Sequence, residues 1–286
     1  MRTYNIFDLS RRRIFLLITT CFAFASAIWI VNEYLGIRNF WDSYFAEEDI
    51  RTFFCERTLW DRIVRQPINT FSNFIYWMVA LAVLRRGWKD QRVQKRYNLV
   101  SANPFYSITF GLIMFYIFCA STFFHSSLIH IASKLDFSAV YSLSLFPLMY
   151  YTHRVWLLLE GVDSHQRHPQ STRTVVIVFS ILYVLLTFFL PDGAENYTVL
   201  GIIIVLIMFG ILVERKDPGR TNRRYLIVSS ASILVAVLWF AMDVYKVLCN
   251  PDSLIQPHSL WHLFGGISSF YFYMYIRSER GAISVA

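Results

Sequence analysis

Five polar residues stand against a very apolar chain. Ser121 and His125 are four apart in STFFH, Asp136 follows His125 by eleven, and His258 and His262 are four apart in HSLWH. Residues four apart on a helix share one face. Two histidines at that spacing can hold a single metal ion from one helix. His125 would complete a three-histidine set and leave a fourth coordination position open, an arrangement that suits Zn2+. Asn69, in PINTFSN, is a further polar residue at the start of an apolar run. Each piece has a plainer reading. A histidine at a helix end caps or lies at an interface, a serine there bonds back to its own backbone, and Asp136 can be the N-cap of its helix. His130 is the one rival ligand.

The elements that must position these residues are membrane helices. Of 286 residues, 56 % are hydrophobic, 18 % aromatic and only 16 % charged, which points to lipid as the solvent. Apolar runs predict eight spans, near 14–32, 68–84, 105–127, 136–158, 174–190, 197–213, 225–243 and 259–276. A helix needs about 20 apolar residues to cross the hydrocarbon core. The second, fifth and sixth runs are short on that measure. The absence of period-two alternation argues against a barrel. The first run, RRRIFLLITTCFAFASAIWIV, also has the basic flank and small residues of a signal peptide. Its length favours a retained helix. The expected fold is an all-α, polytopic membrane helical bundle.

Charge orders the helices. With the N-terminus cytoplasmic, the inner segments carry 20 of the 27 Lys and Arg and 7 of the 19 Asp and Glu. That is the positive-inside pattern, with both termini cytoplasmic. The basic runs are solvated loops on this reading, and nothing resembles a nucleic-acid-reading module. Ser121, His125, Asp136, His258, His262 and Asn69 then fall at one depth near the outer face. His153, His165 and His168 map to the inner side. The long outer loop, about 33–67, is acidic and aromatic. It reads as an amphipathic segment lying at the interface, with Trp41 and Trp60 near the headgroups. Cys21 and Cys119 fall inside spans as small packing residues. Cys55 and Cys249 share the outer, oxidising face and are free to pair if their backbones approach.

NTFSN, then STFFH with its following aspartate, then LWFAMDVYKVLC and HSLWH resemble the alkaline ceramidase family. That family belongs to a wider superfamily of seven-helix membrane hydrolases that includes the adiponectin-type receptors. The resemblance covers about residues 53–277, so residues 1–52 would be an added N-terminal helix and loop and 278–286 a cytoplasmic tail. It implies that His125, His258 and His262 bind zinc, that Ser121 and Asp136 work beside the metal, and that Cys55 and Cys249 form a disulfide. Family members also bind calcium through an N-terminal acidic cluster. Here DWCE reads FFCE, keeping Glu56, and the glutamate three residues before the asparagine of the NT pair is Gln66, so calcium dependence is in doubt.

The implied reaction is cleavage of ceramide to a fatty acid and a sphingoid base. Ser121 would stabilise the oxyanion. Asp136 would move the proton or orient a histidine. A non-catalytic zinc-containing lipid receptor or lipid-binding protein is the alternative. The expected location is the endoplasmic reticulum or Golgi membrane in a eukaryote and the inner membrane in a bacterium, with the site near the lumenal or periplasmic face.

Overall fold

The computed structural model describes residues 38–44, 53–93, 98–161, 169–190, 194–216 and 221–279, and isolated positions between 20 and 30. The predicted first span therefore lies largely outside the described residues, as do Cys21, His165, His168 and the end of the tail.

The described chain is helical. α1 (Pro67–Ser72) leads into α2 (Phe74–Val93), and the short α3 (Leu99–Ala102) precedes α4 (Phe105–Ser127). α5 (His130–Leu159), α6 (Pro169–Phe189), α7 (Glu195–Lys216), α8 (Arg223–Val244) and α9 (Pro257–Arg277) follow. Five stretches are long and apolar enough to cross a membrane: Pro67–Arg92, Phe105–Ser127, Gln170–Phe189, Tyr197–Lys216 and Arg223–Val244. This is a membrane protein with a polytopic helical bundle. α5 and α9 are as long but more polar. They carry the aspartate and two of the histidines, together with buried serines, tyrosines and arginines, and they pack among the others. We read them as spans as well.

The short predicted runs gain length at their ends. The second begins at α1 and continues to Val93, because the polar RRGWKDQRV remains helical beyond the apolar stretch. α5 starts six residues before the predicted span. Ile129 is its N-cap and His130 its first residue, so Asp136 stands in the second turn. The reading of Asp136 as an N-cap is thereby overturned.

α4 packs against α1, α2 and α5, while α9 packs against α1, α2 and α8. Two glycines allow the closest approaches. A Cβ on Gly111 would lie 2.6 Å from Leu84, and one on Gly266 would lie 2.5 Å from Ile75. Small residues at such crossings are how membrane helices pack without a hydrophobic drive. α6 and α7 are peripheral, with only 6 % and 11 % of their apolar windows buried. Cys119 is exposed on the surface of α4, so it is not a packing residue.

The two ends of the bundle differ in chemistry. At one, Arg277 pairs with Asp90, Arg154 with Glu279, and His153 bonds Tyr106 and, at 3.0 Å, Ser171. At the other, residues 53–66 fold inward over the helix ends. Phe54, Cys55, Glu56, Val64, Arg65 and Gln66 are all buried. This part of the long loop is a plug, not a segment lying flat at the interface. Backbone bonds from Arg65 and Gln66 to the Ser126 and His125 carbonyls, 3.0 and 3.1 Å, stitch it to the end of α4. Trp60 lies under the Arg65 guanidinium, and Trp41 donates to the Ile63 carbonyl at 2.8 Å.

Candidate metal centre

The three histidines converge. His125 near the end of α4, and His258 and His262 at the start of α9, place one ligand nitrogen each within 4.8 Å of the others, and all three are buried. α9 begins with Pro257 at its first position behind the N-cap Gln256, so His258 and His262 occupy successive turns of its opening. α4 closes on Leu128 in a left-handed conformation, φ 52°, one turn beyond His125. Among the described residues, His130 is not part of the group.

Two of the histidines have their Nδ1 hydrogen-bonded, and the third stands near a carboxylate without a bond. His125 Nδ1 donates to Gln66 Oε1 at 2.9 Å, and Asn69 Nδ2 donates to the same oxygen at 3.3 Å. His262 Nδ1 meets Ser72 Oγ at 2.7 Å. That hydroxyl gives its own proton to the Asn69 carbonyl at 2.8 Å, so it accepts from the histidine. His258 Nδ1 stands 3.5 Å from the buried Asp243 carboxylate, whose other oxygen accepts the Cys55 N–H at 2.9 Å. With Nδ1 carrying the proton, the Nε2 lone pairs of His125 and His262 are free to ligate. Partners of this kind fix the tautomer and raise ligand basicity. His125 Nε2 is buried with no hydrogen-bond partner. An orphaned buried nitrogen inside a cluster of three imidazoles fits a zinc-type ion.

Ser121 lies on α4 one turn from His125 and is 2 % exposed. Its side chain faces the Asp136 carboxylate of α5. The structure thus brings Ser121, Asp136 and the three histidines to one end of the bundle. Asn69 comes with them, fully buried and bonded to Gln66. Sequence reasoning did not single out Gln66, Ser72 and Asp243 as histidine partners, though Ser72 and Asp243 lie in quoted motifs and Gln66 was noted where the family has a glutamate. Nor did it single out Phe54, whose ring covers His125 and His258 at centroid distances of 4.9 and 4.6 Å.

Cys55 and Cys249 are joined by a disulfide, with Cα atoms 5.5 Å apart. It ties the plug to the segment between α8 and α9. Beside it, Glu56 accepts the Ile68 and Asn69 N–H groups at 2.7 and 2.8 Å. Those are unpaired donors of the first turn of α1, so Glu56 caps that helix from outside it. Burial pushes its carboxyl up to about 7. The two N–H bonds pull the other way, and the Asp243 charge adds to the rise. The neighbouring Phe53 carbonyl accepts the Lys246 ammonium.

A family model described as Ceramidase matches residues 52–282. No curated protein matches the chain.

Proposed function

Because this chain belongs to the ceramidase family, we propose that it is a zinc-dependent amide hydrolase that cleaves ceramide within the membrane to a fatty acid and a sphingoid base. The observation that carries the zinc reading is the convergence of three buried imidazoles, two of them with Nδ1 hydrogen-bonded and one with its Nδ1 3.5 Å from a buried carboxylate.

A zinc ion held by His125, His258 and His262 would polarise the amide carbonyl and lower the pKa of a coordinated water to about 7. The chain's residues manage the protons. Asp136 accepts a proton from the attacking water and delivers it to the leaving amine as the C–N bond breaks. Ser121 first donates to Asp136. Once Asp136 holds a proton, the Ser121 hydroxyl is released to turn toward the oxyanion, where one donor is worth about 10²–10³ in rate. Phe54 excludes water from the top of the site.

The hydroxyl and carboxylate beside the histidines support an open, reactive centre over a closed structural one. The disulfide at the histidine end supports an orientation with that end facing an oxidising compartment.

Calcium does not fit this chain. Both Glu56 oxygens take backbone N–H groups, Gln66 Oε1 takes His125 and Asn69, and the Phe53 carbonyl already holds an ammonium. A calcium ion needs six to eight oxygens, several of them charged.

The test is purified protein in detergent, with bound zinc and fatty-acid release from ceramides of several chain lengths as readouts. His262→Ala is expected to lose both metal and activity. Ser121→Ala is expected to keep the metal and lose about 10²-fold or more in rate. A calcium chelator should leave activity unchanged. Stoichiometric zinc with no hydrolysis of any N-acyl lipid would overturn the hydrolase reading in favour of a lipid receptor.

A further inference from the structure

Tyr76 is unexplained by packing alone. It lies in the first turn of α2, one turn inward of Ser72, whose hydroxyl bonds His262. Its side chain is 4 % exposed. Among the described residues no hydrogen bond engages its hydroxyl, and that atom is not one of the unpartnered polar atoms sealed from solvent, so it borders accessible space. Three observations fix where that hydroxyl points. It touches α9 at Gly265, where an added Cβ would lie 2.8 Å from it. Its ring is 6.0 Å from the His262 ring, edge to face. The Asp136 carboxylate lies within electrostatic range of it.

Helix geometry gives the depth. Gly265 is three residues inward of His262, and Ser121 is four residues inward of His125. At 1.5 Å per residue both lie about 5 Å beneath the histidines. The phenol and the serine hydroxyl therefore flank the same layer of the site, between α2, α4, α5 and α9. In that layer Ser121 faces the Asp136 carboxylate, which can take its one hydroxyl proton. A hydroxyl has one proton to donate. A substrate carbonyl arriving there needs a second donor, and the Tyr76 phenol is placed to supply one.

We propose that Tyr76 is a catalytic residue that donates a hydrogen bond to the carbonyl oxygen of the substrate amide, holding it until Ser121 is released from Asp136. Gly265 is glycine because any side chain would push the phenol out of that position. The assignment rests on the amide-hydrolase reading for its substrate, but its geometry rests on the site alone.

Tyr76→Phe tests it, since the ring and its packing remain. The expected result is zinc content and thermal midpoint equal to the parent, with kcat on ceramide reduced about 10²-fold. Activity within twofold of the parent overturns the proposal. So does a loss of activity that comes with loss of zinc or of thermal stability, which would mark a structural role. A fatty hydroxamate, which presents a carbonyl oxygen to the same site without being cleaved, separates the two readings. Its affinity should fall about tenfold in Tyr76→Phe, the size of one hydrogen bond. Weakened hydroxamate binding by the variant, together with a parent protein inert toward ceramide, would overturn the substrate and leave the tyrosine. Equal hydroxamate affinity in parent and variant would overturn the tyrosine whatever the substrate.

Discussion

An amide holds His125. Gln66 is 1 % exposed, and its oxygen accepts from the histidine at 2.9 Å while also taking the Asn69 side chain. Replacing it with an apolar isostere would strand the buried Nδ1–H and release the ring to rotate. Gln66→Leu should therefore weaken metal affinity about 10–100-fold, measured as zinc retained against a graded series of chelators. Glu56 makes a different prediction, one of pH. Its carboxyl is pushed up to about 7 in the fold against 4.5 unfolded. Between those values the folded state holds one more proton than the unfolded state, so stability falls as pH rises and levels off above about 7. In Glu56→Gln that slope should disappear. Thermal midpoints taken across this range would show it, and a slope unchanged by the substitution would mean the carboxyl is not the titrating group.

α9 is the element on which the centre depends most. Its first two turns carry His258 and His262, and the next turn passes within contact of α2 at Gly265 and Gly266. Gly266→Ala would set a Cβ 2.5 Å from Ile75, which is branched and cannot swing away. Forcing α2 and α9 apart should cost about 1–3 kcal/mol and move His262 away from Ser72, so both thermal midpoint and zinc content should fall. Gly201→Ala on α7 is the control. Nothing lies within 4 Å of its added Cβ, and the midpoint should hold or rise slightly. α5 shows why an element boundary matters to chemistry. Its start at His130 moves Asp136 from the helix end into the second turn, where it reaches Ser121 instead of capping backbone.

For the whole molecule, the plug and the helices act as one unit through the Cys55–Cys249 disulfide, which spans 194 residues of sequence. It fixes Phe54 over the histidines and keeps the Cys55 N–H on Asp243, the partner of His258. Cys249→Ser should cost about 2–4 kcal/mol of stability and loosen the cover of the metal centre. The readouts are the thermal midpoint with and without reductant, and zinc retention. A variant as stable and as tightly metallated as the parent would show that the plug seats itself without the bond. The opposite end of the bundle is closed by buried ion pairs, Arg277 with Asp90 and Arg154 with Glu279.

Much of this was legible in the chain. Apolar runs marked the helices because lipid imposes length and composition on every span. The i, i+4 spacing marked the histidine pair and Ser121–His125 because a helix repeats every 3.6 residues. The one-sided distribution of Lys and Arg gathered the polar set at one end. These signals are local or statistical and need no contact to be read. Tertiary structure alone decided which groups the Nδ1 atoms of His125 and His262 bond, that Glu56 caps α1 from a distance, that Asp136 faces Ser121, and that the Tyr76 hydroxyl lies against Gly265. Those facts depend on helices far apart in sequence arriving at one angle and depth, and such meetings leave no period in the chain that makes them.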